Sequence, residues 1–524
     1  MKNNRKLTII LALLVVMAIF LNSCKSSEQT GDASSGSDVS AESTGSDTAE
    51  NPDASEGDAA SANADSGAEA QNPSQQQQQS QADTSKISSR VGPVVAEKEL
   101  SVKILSEGKA EKVKSVTPRT SLDNDNVHPK SEAPPVVLKT NNNMYSFVNT
   151  AWSYAIKIKS GKSLLTDADA YDPGSSHIVT TADYVSQSTR KQILPGAMSK
   201  YTYWKRIYNG VFGAAVIKDK NGTPFVLGIS HGENCNQINF GVKYENSIKP
   251  AGLTYDDATY MGYRNGKWVN AFDNYFAFVN ASLAPVSDND GVDFYKYDKG
   301  PVLWPSNGLI EKLGDDYVQR SMGLRHPSLF IDNGYIYLFY LDGSSGHELG
   351  RTYGIKAARA PLSSMGASGS FKTLYGGAYN EPAIPFIYNK NDTNYNKDEN
   401  SYVYKKGGRS DVLFAGTYDP IRFSVAKIKN SNYYLGVLQH GDDGAGNVFF
   451  ELAVSRDLIT WSEPVEIKSA TKKWDEAYMN YPMLYNADMT DYMSIDMNNF
   501  LIVGTKPNET EPFTMKMSIK IEEK

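Results

Sequence analysis

From residue 141 onward the chain is a succession of short runs of Val, Ile, Tyr, Phe and Trp broken by Gly, Asn and Asp. That pattern predicts strands joined by turns, an all-β domain. In residues 327–340 two β-rich runs flank Asp332-Asn333-Gly334, and Asn-Gly supplies the positive-φ positions that a tight hairpin requires. The layout returns in residues 211–230 around a turn at 218–222, in 421–438 around 429–432, and more weakly in 483–503 around 495–499. These hairpins stand roughly 60 to 115 residues apart, so the repeating unit is larger than a hairpin.

The segment after each hairpin recurs as well. A polar loop leads to a strand rich in Ala, often with Ser or Arg, and then to an aromatic residue and a Pro. Residues 449–464 show it, residues 353–361 echo it with Phe371 and Glu381-Pro382, and residues 276–285 do so with Phe294 and Trp304-Pro305. Four strands per unit at this spacing predict a β-propeller. Four units are recognisable from Tyr208 on, and residues 145–195 supply a degenerate fifth or the closing strands.

The first 140 residues have a different character. Lys2, Arg5 and Lys6 precede an uncharged apolar run over residues 7–21, too short for an ordinary membrane span, which needs about 20 residues. Leu21-Asn22-Ser23-Cys24 comes next. The segment reads as an export signal, with an uncut signal anchor as the other reading. Residues 26–85 hold twelve Asp or Glu, no Lys or Arg, and the run Gln75 to Gln79. Nothing there offsets the entropy of ordering, which predicts a disordered tether. Residues 86–140 mix short apolar pieces with Lys, Ser and Pro134-Pro135 and read as linker with at most one strand. The expected organisation is thus 1–23 signal, 24–85 tether, 86–140 mostly irregular linker, and 141–524 propeller.

Composition sharpens this division. The 524 residues are 40% hydrophobic and 22% charged with a net charge of −7, enough apolar material for a large core. Setting aside the twelve tether acids and the four bases at Lys2, Arg5, Lys6 and Lys25 leaves a net charge of +1. The folded part is therefore near neutral, with no basic patch to suggest nucleic acid. Two cysteines, Cys24 and Cys235, offer no disulfide framework, and Cys235 reads as a lone thiol.

The strings Arg325-His-Pro-Ser-Leu-Phe-Ile-Asp-Asn-Gly-Tyr-Ile-Tyr-Leu-Phe-Tyr340, Ser455-Arg-Asp-Leu-Ile-Thr-Trp461 and Tyr481-Pro-Met-Leu resemble the five-bladed β-propeller glycoside hydrolases, the broad group of families 43, 32 and 117. The resemblance covers residues 141–523. It implies a five-bladed propeller of four-stranded blades, with an active site in the axial funnel at the start of each innermost strand. Ser-x-Asp-Leu-x-x-Trp is a blade signature in this resemblance, its Asp capping a turn and its Trp packing between blades. Leu21–Cys24 likewise resembles a bacterial lipobox, which implies diacylglycerol on Cys24 and an extracytoplasmic, membrane-anchored domain.

Residues just before the hairpins are then expected to converge: Asp172-Pro173, Asn209, Arg325-His326, Asp419-Pro420 and Tyr481-Pro482, with His231 and Glu233 from the loop after the first clear hairpin. Glycoside cleavage needs one protonated and one ionised carboxyl. The family's three-acid pattern falls on Asp172, a second position where no acid stands, and Glu381. The expected roles are Glu381 as general acid, Asp172 or Asp419 as base, and His231, Glu233, Arg325, His326 and Tyr481 against the sugar. The alternative is a noncatalytic propeller that captures glycan or scaffolds an envelope protein. Residues 288–293 and 442–447 lack the twelve-residue frame and closing Glu of an EF-hand and read as turns. No cofactor is expected, a calcium ion in the pore being the one ion left open. The expected partners are carbohydrate and the membrane through the lipid on Cys24, with the domain a monomer.

Overall fold

The computed structural model describes residues 92–93, 96–117, 133–141, 143–149, 153–178, 198–199, 208–234, 261–264, 267–270, 276–287, 289–297, 302–304, 310–313, 316–319, 323–342, 354–383, 409–415, 422–441, 447–473, 480–506 and 511–524. The signal, the tether, Cys24 and Asp419 lie outside these residues.

Among the described residues the fold is strands, turns and short 3-10 helices, with no α-helix. Five sheets have four or more strands, and each is led by a strand that we number in chain order: β1 (Ala133–Lys139), β2 (Tyr208–Lys218), β3 (Leu324–Asp332), β4 (Arg422–Ile428) and β5 (Asn480–Asn486). In every sheet the next strand in the antiparallel pairing is Met144–Asn149 on β1, Pro224–Asn234 on β2, Tyr335–Asp342 on β3, Tyr434–Gly441 on β4 and Phe500–Thr505 on β5. A third strand extends each one. Two further hairpins, Met261–Arg264 with Lys267–Asn270 and Ile310–Leu313 with Asp316–Gln319, stand apart from these sheets. The leaders touch in succession: β1 meets β2, β2 meets β3, β3 meets β4, β4 meets β5, and β5 meets β1.

Between successive sheets lie apolar clusters, so a leading strand is buried on both faces. Because side chains alternate across a strand, Leu329 joins Leu227 and Leu283 of the second sheet, whereas Phe330 joins Phe423 and Leu438 of the fourth. Strands covered on both sides carry nearly continuous apolar runs, which is why these hairpins stand out in the sequence. The β2–β3 approach is close enough that a Cβ on Gly213 would lie 2.4 Å from Leu329 Cβ. The Asn333-Gly334 turn is as expected, both residues having positive φ (48° and 77°).

The Ser455–Trp461 signature folds as a capped turn. Asp457 Oδ1 accepts from the backbone N–H groups of Ile459 and Thr460, both at 2.8 Å, and Ser455 Oγ accepts from those of Asp457 and Leu458. Fully buried Trp461 meets Phe423 edge-on at 5.0 Å and Phe414 at 5.9 Å, between the third and fourth sheets. Asp457→Ala removes the acceptor of two backbone N–H groups together with the Thr460 hydroxyl contact. It is expected to lower stability by about 1–2 kcal/mol, read as a lower urea midpoint with an unchanged slope.

The expected boundary at residue 141 does not match the sheets. Leu100–Glu107 pairs with Phe513–Glu523, Gly92–Pro93 pairs with Val412–Ala415, and Ala133–Lys139 leads the first sheet. Residues 86–140 thus contribute these three strands and Glu111–Lys112, which also pairs with Phe513–Glu523, and the partners of Gly92–Pro93 and Leu100–Glu107 lie more than 200 residues away in sequence. Val102 and Ile104 alternate with Lys103 along an edge strand, and that short two-faced pattern is easily read as linker.

Candidate functional site

At their starts four of the five leading strands break register. The shifts fall between Ala133 and Val136 on β1, around Phe212 on β2, between Arg325 and Ser328 on β3, and between Asn480 and Met483 on β5. A bulge inserts an unpaired residue and re-aims its side chain. His326 and Tyr481 occupy two of these bulges in the left-handed region, at φ 52° and 56°, each directly before a Pro. Side chains with a Cβ rarely adopt that conformation, and a following Pro disfavours helical backbone further. Strain of this kind costs about 1–3 kcal/mol per residue and marks positions where the surrounding structure dictates side-chain direction.

The bulged rings converge. His326 lies 5.1 Å from Tyr481, 5.2 Å from His231 and 5.9 Å from Phe212 by ring centroids, and Phe212 meets His231 at 5.5 Å and Tyr481 at 6.2 Å. Arg422, at the start of β4, places its guanidinium carbon 4.7 Å from the Tyr481 ring centre. Phe212, His326, Ser328, Arg422, Ser424 and Tyr481 line a small pocket open to solvent.

The fourth sheet fixes the Tyr481 bulge. Gln439, fully buried, donates through Nε2 to Asn480 Oδ1 at 2.8 Å and accepts the Tyr481 N–H on Oε1 at 2.8 Å. Ser424 Oγ donates to the Pro482 carbonyl at 3.0 Å. Tyr481 is thereby held by a neighbouring sheet as well as its own.

Burial and positive charge act together on the imidazoles. His231 is 2% exposed, and desolvation, reinforced by Arg325 and Arg422, pushes its pKa down to about 3. Desolvation followed by Arg422, His231 and Arg325 holds His326 well below the usual histidine range. Both rings are neutral at pH 7, each able to donate one hydrogen bond and accept another. His326 Nδ1 is buried and makes no hydrogen bond among the described residues.

Of the residues singled out in the sequence, His231, Arg325, His326 and Tyr481 lie together at this end of the leading strands. Glu233 stands two residues on along the His231 strand, where only its backbone is described. Asp172 and Glu381 take other positions. Asp172 caps a short 3-10 helix, Oδ1 accepting from Gly174 N at 3.2 Å. Glu381 sits on Ala378–Pro382, outermost strand of a hairpin added to the third strand of the third sheet, four strands out from β3. At about 4.8 Å per strand that is roughly 19 Å. Arg409 grips it through Nε and Nη2 at 3.3 and 3.1 Å and holds the carboxyl below its usual range. An ionised, paired carboxylate is the opposite of what a general acid needs.

Phe212, Arg422 and Gln439 carry no sequence signal of their own, since Phe212 lies at a bulge inside Tyr208–Lys218, Arg422 opens β4 and Gln439 lies inside Tyr434–Gly441. Register would have revealed Arg422: it pairs with Gln439 on the second strand of its sheet, as Arg325 pairs with Leu341 on the second strand of its own. Asp290, in the first Asp-rich turn, accepts from Thr140 Oγ1 and Asn143 Nδ2 and so ties the second sheet to the first. Among the described residues no three His, Cys, Asp or Glu gather as metal ligands.

No protein-family model matches the chain, and no curated protein matches it. Solved structures do. An endo-arabinase from Bacteroides thetaiotaomicron is 12% identical, with a TM-score of 0.32 over 80% of this chain and 98% of that one. A family 117 glycoside hydrolase from the marine bacterium Zobellia galactanivorans is 10% identical, with a TM-score of 0.34 over 79% and 91%. An exo-1,5-α-L-arabinanase from a bovine ruminal metagenomic library is 11% identical, with a TM-score of 0.33 over 76% and 96%. Likenesses this distant leave the chemistry to be argued from the site's own residues.

Proposed function

We propose that this chain is a five-bladed β-propeller that binds a glycan in the pocket between Phe212, His326, Arg422 and Tyr481. The cyclic contact of the five leading strands supports the blade count. The observation that carries the functional reading is the convergence of Phe212, His326 and Tyr481 on one pocket, two of them aimed by strained bulges. Aromatic faces beside neutral hydrogen-bonding groups suit a sugar ring, which presents C–H patches and hydroxyls to the same site. The described pocket-lining groups, aromatic rings with an imidazole, a guanidinium and two hydroxyls, support recognition. The Lys2-to-Cys24 pattern supports export and lipid anchoring at Cys24, so the pocket faces glycans outside the cytoplasm.

A polysaccharide panel tests this with the full-length protein, measured both by affinity electrophoresis and by release of reducing sugar. Retardation by at least one polysaccharide, lost in Tyr481→Ala and kept in Glu381→Gln, is expected. Reducing-sugar release that vanishes in Glu381→Gln would overturn the placement of the site. Labelled fatty acid entering the wild type and not Cys24→Ala is the matching expectation for the anchor.

A further inference from the structure

Tyr481 forms one wall of the pocket from a backbone that is left-handed, at φ 56°, directly before Pro482. A side chain with a Cβ keeps that conformation only where surrounding contacts impose it. Here they come from one face of the fourth sheet. Arg422 and Gln439 are direct cross-strand partners and Ser424 stands two residues beyond Arg422, so the three side chains project the same way. Arg422 lies over the Tyr481 ring, Ser424 Oγ donates to the Pro482 carbonyl, and Gln439 takes the main chain between them.

The Gln439 amide can sit only one way round. The Tyr481 N–H is purely a donor, so the atom 2.8 Å from it is Oε1, and Nε2 is left to donate to Asn480 Oδ1, also at 2.8 Å. Asn480 Oδ1 shares the Tyr481 N–H at the longer distance of 3.1 Å. One side chain thus supplies an acceptor to Tyr481 and a donor to Asn480, and a hydrocarbon of the same size supplies neither. Gln439 is 0% exposed, so it acts on a ligand only through the residues it holds.

We infer that Gln439 is a positioning residue, which holds Tyr481 in the conformation that completes the pocket without touching the ligand. This rests on the glycan-binding reading and deepens it by naming the group that sets the aromatic wall. Without the hold, Tyr481 spends part of its time in ordinary backbone conformations, and apparent affinity falls with the fraction still in place. The loss lies in the association rate, because a glycan that does bind meets the same wall and leaves it equally fast. Loss of a direct contact acts instead on dissociation.

The test compares full-length wild type, Gln439→Met and Gln439→Glu. Without ligand, hydrogen–deuterium exchange resolved at the Tyr481 amide is expected to be about tenfold faster in Gln439→Met and within about threefold of wild type in Gln439→Glu, which is nearly isosteric and keeps the acceptor. On an immobilised polysaccharide that retards the wild type, Gln439→Met is expected to associate about tenfold more slowly with dissociation little changed, whereas Tyr481→Ala dissociates faster. Gln439→Asn, whose amide falls one methylene short of its partners, should match Gln439→Met and stands in for it if that variant fails to fold. Unchanged Tyr481 exchange in Gln439→Met overturns the inference. So does exchange equally fast in Gln439→Glu, which would assign the effect to packing, or an affinity loss confined to dissociation. If no polysaccharide retards the wild type, the glycan-binding reading falls, and the exchange comparison, which needs no ligand, still upholds or overturns the hold on Tyr481.

Discussion

Replacing Lys356 with Met is expected to destabilise the protein by about 3–5 kcal/mol, the usual effect of removing one partner of a buried ion pair. Lys356 Nζ lies 2.6 Å from Asp342 Oδ2 on adjacent strands of the third sheet, with the two side chains 0% and 1% exposed. Asp342 pairs with Leu324, at the start of β3, so the ion pair lies level with the bulge that presents His326. Charges that deep are expensive to desolvate and are tolerated because each offsets the other's penalty. Without the ammonium, the buried carboxylate loses this counter-charge. Burial together with this same carboxylate already holds the nearby Tyr340 hydroxyl above its usual pKa. Urea denaturation followed by tryptophan fluorescence reads the loss. The double variant Lys356→Met, Asp342→Leu should recover much of it, since an apolar pair of similar volume needs no counter-charge. A loss below about 1 kcal/mol in the single variant would mean that water reaches Asp342 and that this end of the sheet is looser than its burial implies.

Acid is the second large lever. His231 is neutral in the fold down to about pH 3, whereas an unfolded histidine takes up its proton near 6.5. The folded pKa is depressed, so above 6.5 neither state is protonated and the group contributes nothing to the pH dependence. Between about 6.5 and 3 the unfolded state holds the extra proton, and stability falls as pH falls. For one histidine with a shift of this size the loss by the bottom of the window is on the order of 4 kcal/mol. His326, depressed by the same burial and the same two guanidiniums, works in the same direction. Stability measured from about pH 7 to about pH 4 should therefore slope downward below roughly 6.5, and His231→Asn, with no titrating group, should flatten that slope between about 6.5 and 4.5, where carboxylates contribute least. An identical slope in the variant would show that the imidazole is solvated in the fold.

Much of the fold was legible because of how its strands are buried. Leu329 and Phe330 face different sheets, so residues 329–331 are apolar without a break and the hairpin around Asn333-Gly334 announces itself. Ser455 to Trp461 was legible for another reason, since a side chain that caps its own turn acts over three residues and needs no distant partner. Leu100–Glu107 was not, because its partner strand begins at Phe513 and local pattern does not report so remote a pairing. The site divides in the same way. Arg325, His326 and Tyr481 were visible as residues before a Pro at the head of an apolar run. The position of Glu381 was not, because its Glu-Pro step is written like the others, and only Arg409, reached across 28 residues, marks it as an outer ion pair. Gln439 was invisible, since its task is to accept the N–H of Tyr481 from a neighbouring sheet.

Fold and chemistry meet where the sheets bring their strained starts to one pocket, proposed above to take a glycan. The most direct measurement is a crystal structure of the full-length protein with an oligosaccharide bound at saturating concentration. The sugar is expected between Phe212, His326, Arg422 and Tyr481. A sugar seated instead on the outer hairpin at Tyr375, Glu381 and Arg409, with the central pocket left empty, would contradict the account.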